Sequence, residues 1–301
     1  MKSPIFPGLG SSLAMLGCLL SAAAFLPCEA EGQTFTVFHT TGRTAWEIYD
    51  LKVANAHRPS FDALINPVEA TIPLLDTWFG EFAPATMKFK ILQNKCSAGW
   101  GNPVEFGDTC AVQDWPRRWI RTFLIGRTAD MVWNPVSGGW PDDSFAGPFR
   151  DMVAATLIKS VLGPDSVAYF ENEYMDKAKR PQYLAYIKLR DARGWGVFRE
   201  LFRAMKRDTL LLDKVPQDPG LRGNYVMAYL NLGNREKLAA TLKADGVPGF
   251  DPAEVTRVLA ARNLLAIADR KGINSQAAWK SFRAGKHAEV KGLLGPLPKV
   301  P

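Results

Sequence analysis

The chain has 301 residues, 37 Lys and Arg against 30 Asp and Glu, and a formal net charge of +7. Hydrophobic residues make up 47% of it, which excludes a disordered polyelectrolyte and provides for a large buried core. Three histidines and four cysteines leave little material for a metal centre built on those ligands.

Residues 1–30 read as a cleaved secretory signal peptide. Lys2 gives a basic start, residues 13–26 form a Leu- and Ala-rich apolar run, Pro27 breaks it, and Cys28-Glu29-Ala30 places small residues where a signal peptidase cuts. The run falls short of the ~20 residues a helix needs to cross a bilayer. No later stretch is long and uncharged enough, so no transmembrane segment is expected after cleavage. An uncleaved anchor is one alternative. A lipoprotein is another, opposed by Pro27 before Cys28 and by the poor lipid-attachment box Met15-Leu16-Gly17 before Cys18. The expected location is periplasmic or secreted. There a basic surface meets not nucleic acid but lipopolysaccharide, anionic headgroups, acidic glycan or peptidoglycan, or it serves solubility alone.

The composition shifts near residue 142. Residues 31–142 mix turn formers, tryptophans and β-type runs, whereas residues 143–301 have helical period almost throughout. The expected fold class is α+β: a small mixed α/β N-terminal part with a disulfide loop, then a mostly α-helical C-terminal part, the two able to form one compact domain.

Residues 34–40 and 86–93 read as strands. In the second, Met87, Phe89 and Ile91 alternate with Lys88, Lys90 and Leu92. Between them, Asn66-Pro67-Val68-Glu69 reads as a helix start, with Asn66 capping and Glu69 reaching back to the cap amide. Leu74, Leu75, Trp78 and Phe82 form the expected buried side, Gly80 lies near the helix end, and Pro73 imposes a kink or a restart. Cys96 and Cys110 are the two cysteines left after signal removal. In an oxidising compartment they are expected to pair, closing a Gly- and Pro-rich loop and adding roughly 3 kcal/mol of stability. A metal or redox pair is the alternative, without Cys-x-x-Cys spacing or a neighbouring His to support it.

The second half opens on Phe149, Met152, Val153, Leu157, Ile158 and Val161 at helical spacing, stopped by Gly163-Pro164. Further helices are expected over 166–179, 181–192, the stretch bearing Trp195 to Met205, 220–232, and 251 to about 269, the last opened by a capping box at Asp251-Pro252-Ala253-Glu254. The tail, 275–294, reads as two short helices. Two similar helix starts, at Gly233 to Leu238 and at Gly285 to Val290, echo one another without making a repeat array.

Local motifs for catalysis are lacking. His39, His57 and His287 stand apart, there is no Gly-x-Ser-x-Gly elbow, and no Gly-rich phosphate loop follows a strand. Asp142 and Asp143 read as a solvated turn, and Glu171 and Glu173, two apart, point in different directions on a helix. The most unusual segment is residues 100–140, which hold five of the nine tryptophans. Within it Trp115-Pro116-Arg117-Arg118-Trp119-Ile120-Arg121 interleaves indoles with guanidiniums. On a helix Trp115 and Trp119 share one face, and Arg117 and Arg121 another. Indole faces suit sugar rings and guanidinium forks suit carboxylates, so these five residues form a candidate platform for an acidic glycan. The competing reading makes the indoles core and the arginines their cover.

The order of strand 86–93, the Gly-Trp-Gly turn at 99–101, a second β-type stretch at 129–133 and the helix at 149–162 resembles the core of gluzincin-type zinc peptidases. The segment from Gly194 to Phe202 and the stretch from Asn224 to Leu230 are similar to later helices of that family. The resemblance implies a peptidase-like scaffold over about residues 70–245. It also implies that His-Glu-x-x-His should stand where this chain has Phe149-Arg150-Asp151-Met152-Val153-Ala154-Ala155, and that Glu173 takes the place of the family's third zinc ligand. With no histidine on that helix, Glu173 alone holds no metal, and no cofactor is expected. The expected function is an exported, non-catalytic binding or scaffold protein of the bacterial cell envelope, its partner an envelope protein or anionic polymer. The alternatives are a hydrolase acting on peptide or glycan through a non-standard site, and an envelope assembly factor.

Overall fold

The computed structural model describes residues 34–93, 96, 98–99, 102–137, 145–173, 175, 180–208 and 218–296, with backbone alone for 114–117, 133–137 and 219. The expected signal segment, the composition boundary near 142 and the turn expected at Asp142-Asp143 lie outside these residues. The fold is α+β, a four-stranded mixed sheet near the N-terminus followed by helices.

Strands β1 (Thr36–Thr40) and β2 (Thr44–Ile48) form an antiparallel hairpin, and β3 (Met87–Leu92) and β4 (Val104–Gly107) extend the sheet in parallel, giving the order β1-β2-β3-β4. Met87, Phe89 and Ile91 are buried, as the alternation requires. Trp46 of β2 stacks on Phe89 at 4.0 Å between ring centroids. The parallel β2–β3 step needs a crossover, supplied by helices α1 (Leu51–Ala56), α2 (Arg58–Glu69) and α3 (Ile72–Phe79).

The helix start expected at Asn66 is corrected here. Asn66 and Pro67 lie inside α2, which begins eight residues earlier with Pro59 in its first turn. Phe61, Leu64, Ile65 and Val68 of α2 are all buried, and this i, i+3, i+4, i+7 stripe outweighs the hydrogen bond that Pro67 removes. Glu69 turns to the sheet instead of a cap, accepting from Thr44 Oγ1 at 2.7 Å with His39 Nε2 also 2.7 Å away. Pro73 marks a restart, standing in the first turn of α3, and Gly80 ends that helix with φ +57°.

Cys96, in the β3–β4 connection, is bonded to Cys110 of α4 (Thr109–Val112), with Cα atoms 4.5 Å apart. The next helix, α5 (Asp114–Ser137), overturns a second expectation: the β-type stretch 129–133 is helical. Leu124, Ile125, Ala129 and Val132 are fully buried, and their spacing serves a helix face as well as a strand. α6 (Ala146–Leu162) packs against α5 and stops at Gly163, with α7 (Pro164–Glu173), α8 (Arg180–Arg193) and α9 (Gly196–Arg207) following. An aromatic seam joins the sheet-bearing part to these helices. Trp78 stacks on Trp195 at 4.4 Å, and Phe79 meets Phe149, Trp195 and Phe202.

The remaining helices are α10 (Pro219–Asn234), α11 (Leu238–Ala244), α12 (Pro252–Arg270), α13 (Gln276–Arg283) and α14 (Val290–Leu294). Both echo segments lead into short helices, α11 and α14. Asp251 caps α12 by accepting from the Ala253 amide at 2.9 Å, but the reciprocal half of the expected box does not form. The Asp251 amide donates to Asn224 Oδ1, and Glu254 contacts Arg257 and His287. Buried side chains make one continuous cluster from Trp46 to Leu294.

Candidate functional site

The platform expected at residues 115–121 is helical, in the first turns of α5. Side chains of Trp115 and Arg117 lie outside the described residues. Arg118 is exposed, its guanidinium carbon 4.5 Å from the centre of the Tyr169 ring, and Trp119 is half-buried, stacked with Phe123 at 5.6 Å. Arg121 is half-buried. Among the described residues Arg118 and Trp119 thus engage neighbouring rings.

Further along α5 a group of charges, buried except for Arg150, fastens that helix to α6. Arg127 bonds Asp130 one turn away, and Arg150 reaches both Asp151 at 3.0 Å and Asp130 at 3.8 Å. Burial raises the Asp130 carboxyl above its ordinary range despite the two guanidiniums that oppose it. Two cations match two anions, and the adjoining cavity measures about 80 Å³, room for a few waters. Such an arrangement locks a helix pair rather than receiving a ligand.

The metal candidate Glu173 is exposed at the end of α7. Among the described residues no three of His, Cys, Asp and Glu converge. His39 pairs with Glu69, and His287 with Glu254 at 3.0 Å.

A cleft of about 770 Å³ lies among α9, α10, α12 and α13. Its walls follow from helix periodicity. Arg262, Ala266, Asp269 and Arg270 line it from α12, at spacings that share one face, and Gln276, Trp279 and Arg283 do so from α13. α9 and α10 cross in direct contact because of Gly233. A Cβ there would stand 2.4 Å from the Glu200 carbonyl oxygen, so only glycine lets the backbones meet. That crossing sets Arg207, the last residue of α9, beside Arg235, the residue that ends α10.

Asp208 organises the floor. It is buried, accepts from Tyr229 Oη at 2.8 Å, and receives both Nε and Nη2 of Arg262 at 2.7 and 3.1 Å. Burial, then the adjacent carboxylate, raises the Tyr229 phenol well above its ordinary value, so it remains a donor. Asp269 is likewise engaged, accepting from Ser275 Oγ and from Trp279 Nε1, the latter at 3.0 Å. The indole is held by that bond and by an edge-to-face contact with Phe282 at 5.6 Å.

Among the described residues five guanidiniums and two carboxylates line the cleft; Asp208 is bound by Arg262 and Arg207, and Asp269 accepts from Ser275 and Trp279. Among the described residues no carboxylate pairs with Arg235, Arg270 or Arg283, although Arg283 lies 5.8 Å from the Trp279 ring centre. Arg207, Arg235, Arg270 and Arg283 all stand at helix C-termini, where carbonyl dipoles favour cations by about 0.3–1 kcal/mol each. This is why four cations converge without four anions. Arg235 is, among the described residues, the sole non-glycine with positive φ, at 53°. A left-handed conformation costs an L-residue about 1–2 kcal/mol, and strain of this kind gathers at sites of function.

Among the described residues the sequence platform contributes no side chain to this cleft, and none of the cleft arginines was singled out from the sequence. The available signal was an arginine at the end of one helix after another. No protein-family model, curated protein or solved structure matches the chain.

Proposed function

We propose that the chain is an exported, non-catalytic binding protein of the cell envelope that holds an anionic envelope component in the arginine-lined cleft. One observation carries this reading: Arg235, Arg270 and Arg283, none paired to a carboxylate among the described residues, line a cleft of about 770 Å³. Guanidinium forks match carboxylate and phosphate oxygens in pairs. The Cys96–Cys110 bond fits folding in an oxidising compartment. Among the described residues no helix is long and apolar enough to cross a membrane. Kinship with gluzincin peptidases is not needed for this function, and one of the elements it rested on, 129–133, is helix.

The test is titration of the full-length protein with polygalacturonate and with lipopolysaccharide at physiological salt. Replacing Arg235 and Arg270 together by alanine is expected to lower affinity by about tenfold or more, the weight of two surface cations facing a polyanion. Arg118→Ala, in the platform expected from the sequence, is expected to leave affinity unchanged. The opposite pattern moves the site to residues 115–121, and failure to bind either polymer refutes the proposal.

A further inference from the structure

The central cleft is not closed at either end. Toward α9 it shares Arg207, Leu232 and Arg235 with a second concavity of about 340 Å³, whose lip is formed by Arg203 and Gly233. On the opposite side it shares Gln276 and Arg283 with a third, of about 610 Å³, along α13 and bordered by Lys280. The three are adjacent, each of the outer two sharing lining residues with the central cleft, and together they mark a groove across the C-terminal helices. Sites for small molecules are mostly apolar and enclose their ligand. These concavities are open to solvent and lined by cations, and side by side they suit a ligand that is itself extended.

The charge of the groove is arranged along its length. Arg203 and Arg235 stand toward one end, Arg262 and Arg270 in the middle, Arg283 and Lys280 toward the other. The carboxylates on the way are occupied: Glu200 by Arg203 at 2.7 Å, Asp208 by Arg262, Asp269 by Trp279. Asp269, bonded to neutral donors alone, keeps its charge, but among the described residues seven cations outnumber the three carboxylates of the groove. Between the cations stands a single indole, Trp279, fixed at its nitrogen. An indole face packs on the C–H face of a sugar ring, while guanidiniums spaced on both sides meet carboxylates on neighbouring rings.

We propose that the ligand is a linear acidic polysaccharide bearing carboxylates, bound lengthwise across the three adjacent concavities with one ring against Trp279. This rests on the cleft being the anionic site, and the experiment separates the two ideas. The full-length protein is titrated calorimetrically with galacturonate, with galacturonate oligomers of increasing length, with polygalacturonate, with inorganic phosphate and with uncharged dextran. Affinity is expected to climb with oligomer length until the groove is filled, with galacturonate and phosphate weak and dextran inert. Lys280→Ala, at the far end, is expected to weaken the polymer by about threefold, as one exposed cation does, and to leave galacturonate unchanged. Trp279→Leu is expected to weaken every uronate and leave phosphate unchanged. If galacturonate or phosphate binds as tightly as the polymer, or Lys280→Ala has no effect on polymer that Arg235→Ala weakens, the lengthwise mode is refuted while the anionic cleft stands. Failure of both polygalacturonate and lipopolysaccharide to bind refutes the cleft itself.

Discussion

Replacing Arg235 by glycine separates stability from binding. Arg235 ends α10 at φ 53° and ψ 33°, its amide donating to the Asn231 and Leu232 carbonyls. Glycine keeps that amide and removes the Cβ clash, a gain of about 1–2 kcal/mol. Against it stands the greater freedom of glycine in the unfolded chain, about 0.4–1 kcal/mol. The side chain is exposed and has no hydrogen-bond or ion-pair partner among the described residues, so its removal sacrifices no contact. The net expectation is a variant as stable as the parent or more so by about 1 kcal/mol, raising the melting temperature by roughly 2–4 °C for a chain of this size. Its affinity for polygalacturonate is expected to fall by about fivefold, one cation's share. Arg235→Ala serves as control, with the same loss of affinity but no gain in stability, because the left-handed strain remains. Thermal unfolding followed by far-ultraviolet dichroism, with binding by calorimetry, measures both. A glycine variant less stable than the alanine one, or one that binds as the parent does, contradicts the assignment of this strained arginine to the ligand.

Other substitutions probe the scaffold. Gly233→Ala places its Cβ 2.4 Å from the Glu200 carbonyl oxygen, and forcing the α9–α10 crossing apart is expected to cost about 1–3 kcal/mol in urea unfolding; unchanged stability would show that the crossing is slack. Asp130→Ala leaves Arg127 and Arg150 without their shared carboxylate and is expected to cost about 3–5 kcal/mol, with polymer affinity at the cleft unaltered in the protein that remains folded. Reduction of the Cys96–Cys110 bond, or its replacement by serines, is expected to lower stability by roughly 3 kcal/mol with no change in polymer affinity.

The fold class was legible because its signals are local. The alternation of Met87, Phe89 and Ile91 reported β3 directly, and Phe149, Met152, Val153 and Leu157 reported α6. Strand β2 went unseen although its five residues alternate, with Thr44, Trp46 and Ile48 buried. β4 has four residues and follows a loop. Errors arose where one pattern served two structures. Ala129, Met131 and Val132 satisfy a strand in isolation, and only the turns before them, with Leu124 and Ile125 facing inward, make them helix. At Asn66-Pro67 the capping chemistry was sound but the apolar stripe beginning at Phe61 decided the outcome.

The cleft was not legible because no two of its lining helices supply it with a recognisable motif. Arg207, Arg235, Arg270 and Arg283 lie in different parts of the chain, and each alone is explained by a helix C-terminus that favours a cation. Asp208 reads as an ordinary residue after a helix until Tyr229 and Arg262 are seen to meet it. The segment Gly233-Asn234-Arg235 is the instructive case. A helix end with glycine and asparagine at hand would normally put one of them in the left-handed position. Gly233 is committed elsewhere, to the contact with Glu200, and Asn234 Nδ2 donates to the Val197 and Leu230 carbonyls at 3.0 and 2.9 Å. With both residues engaged in joining α10 to α9, the left-handed position falls to Arg235, and the strained backbone projects a cation at the junction of two concavities. The same close crossing that forces the strain therefore also builds the wall of the groove, which is why a change at Gly233 is expected to disturb stability and a change at Arg235 binding.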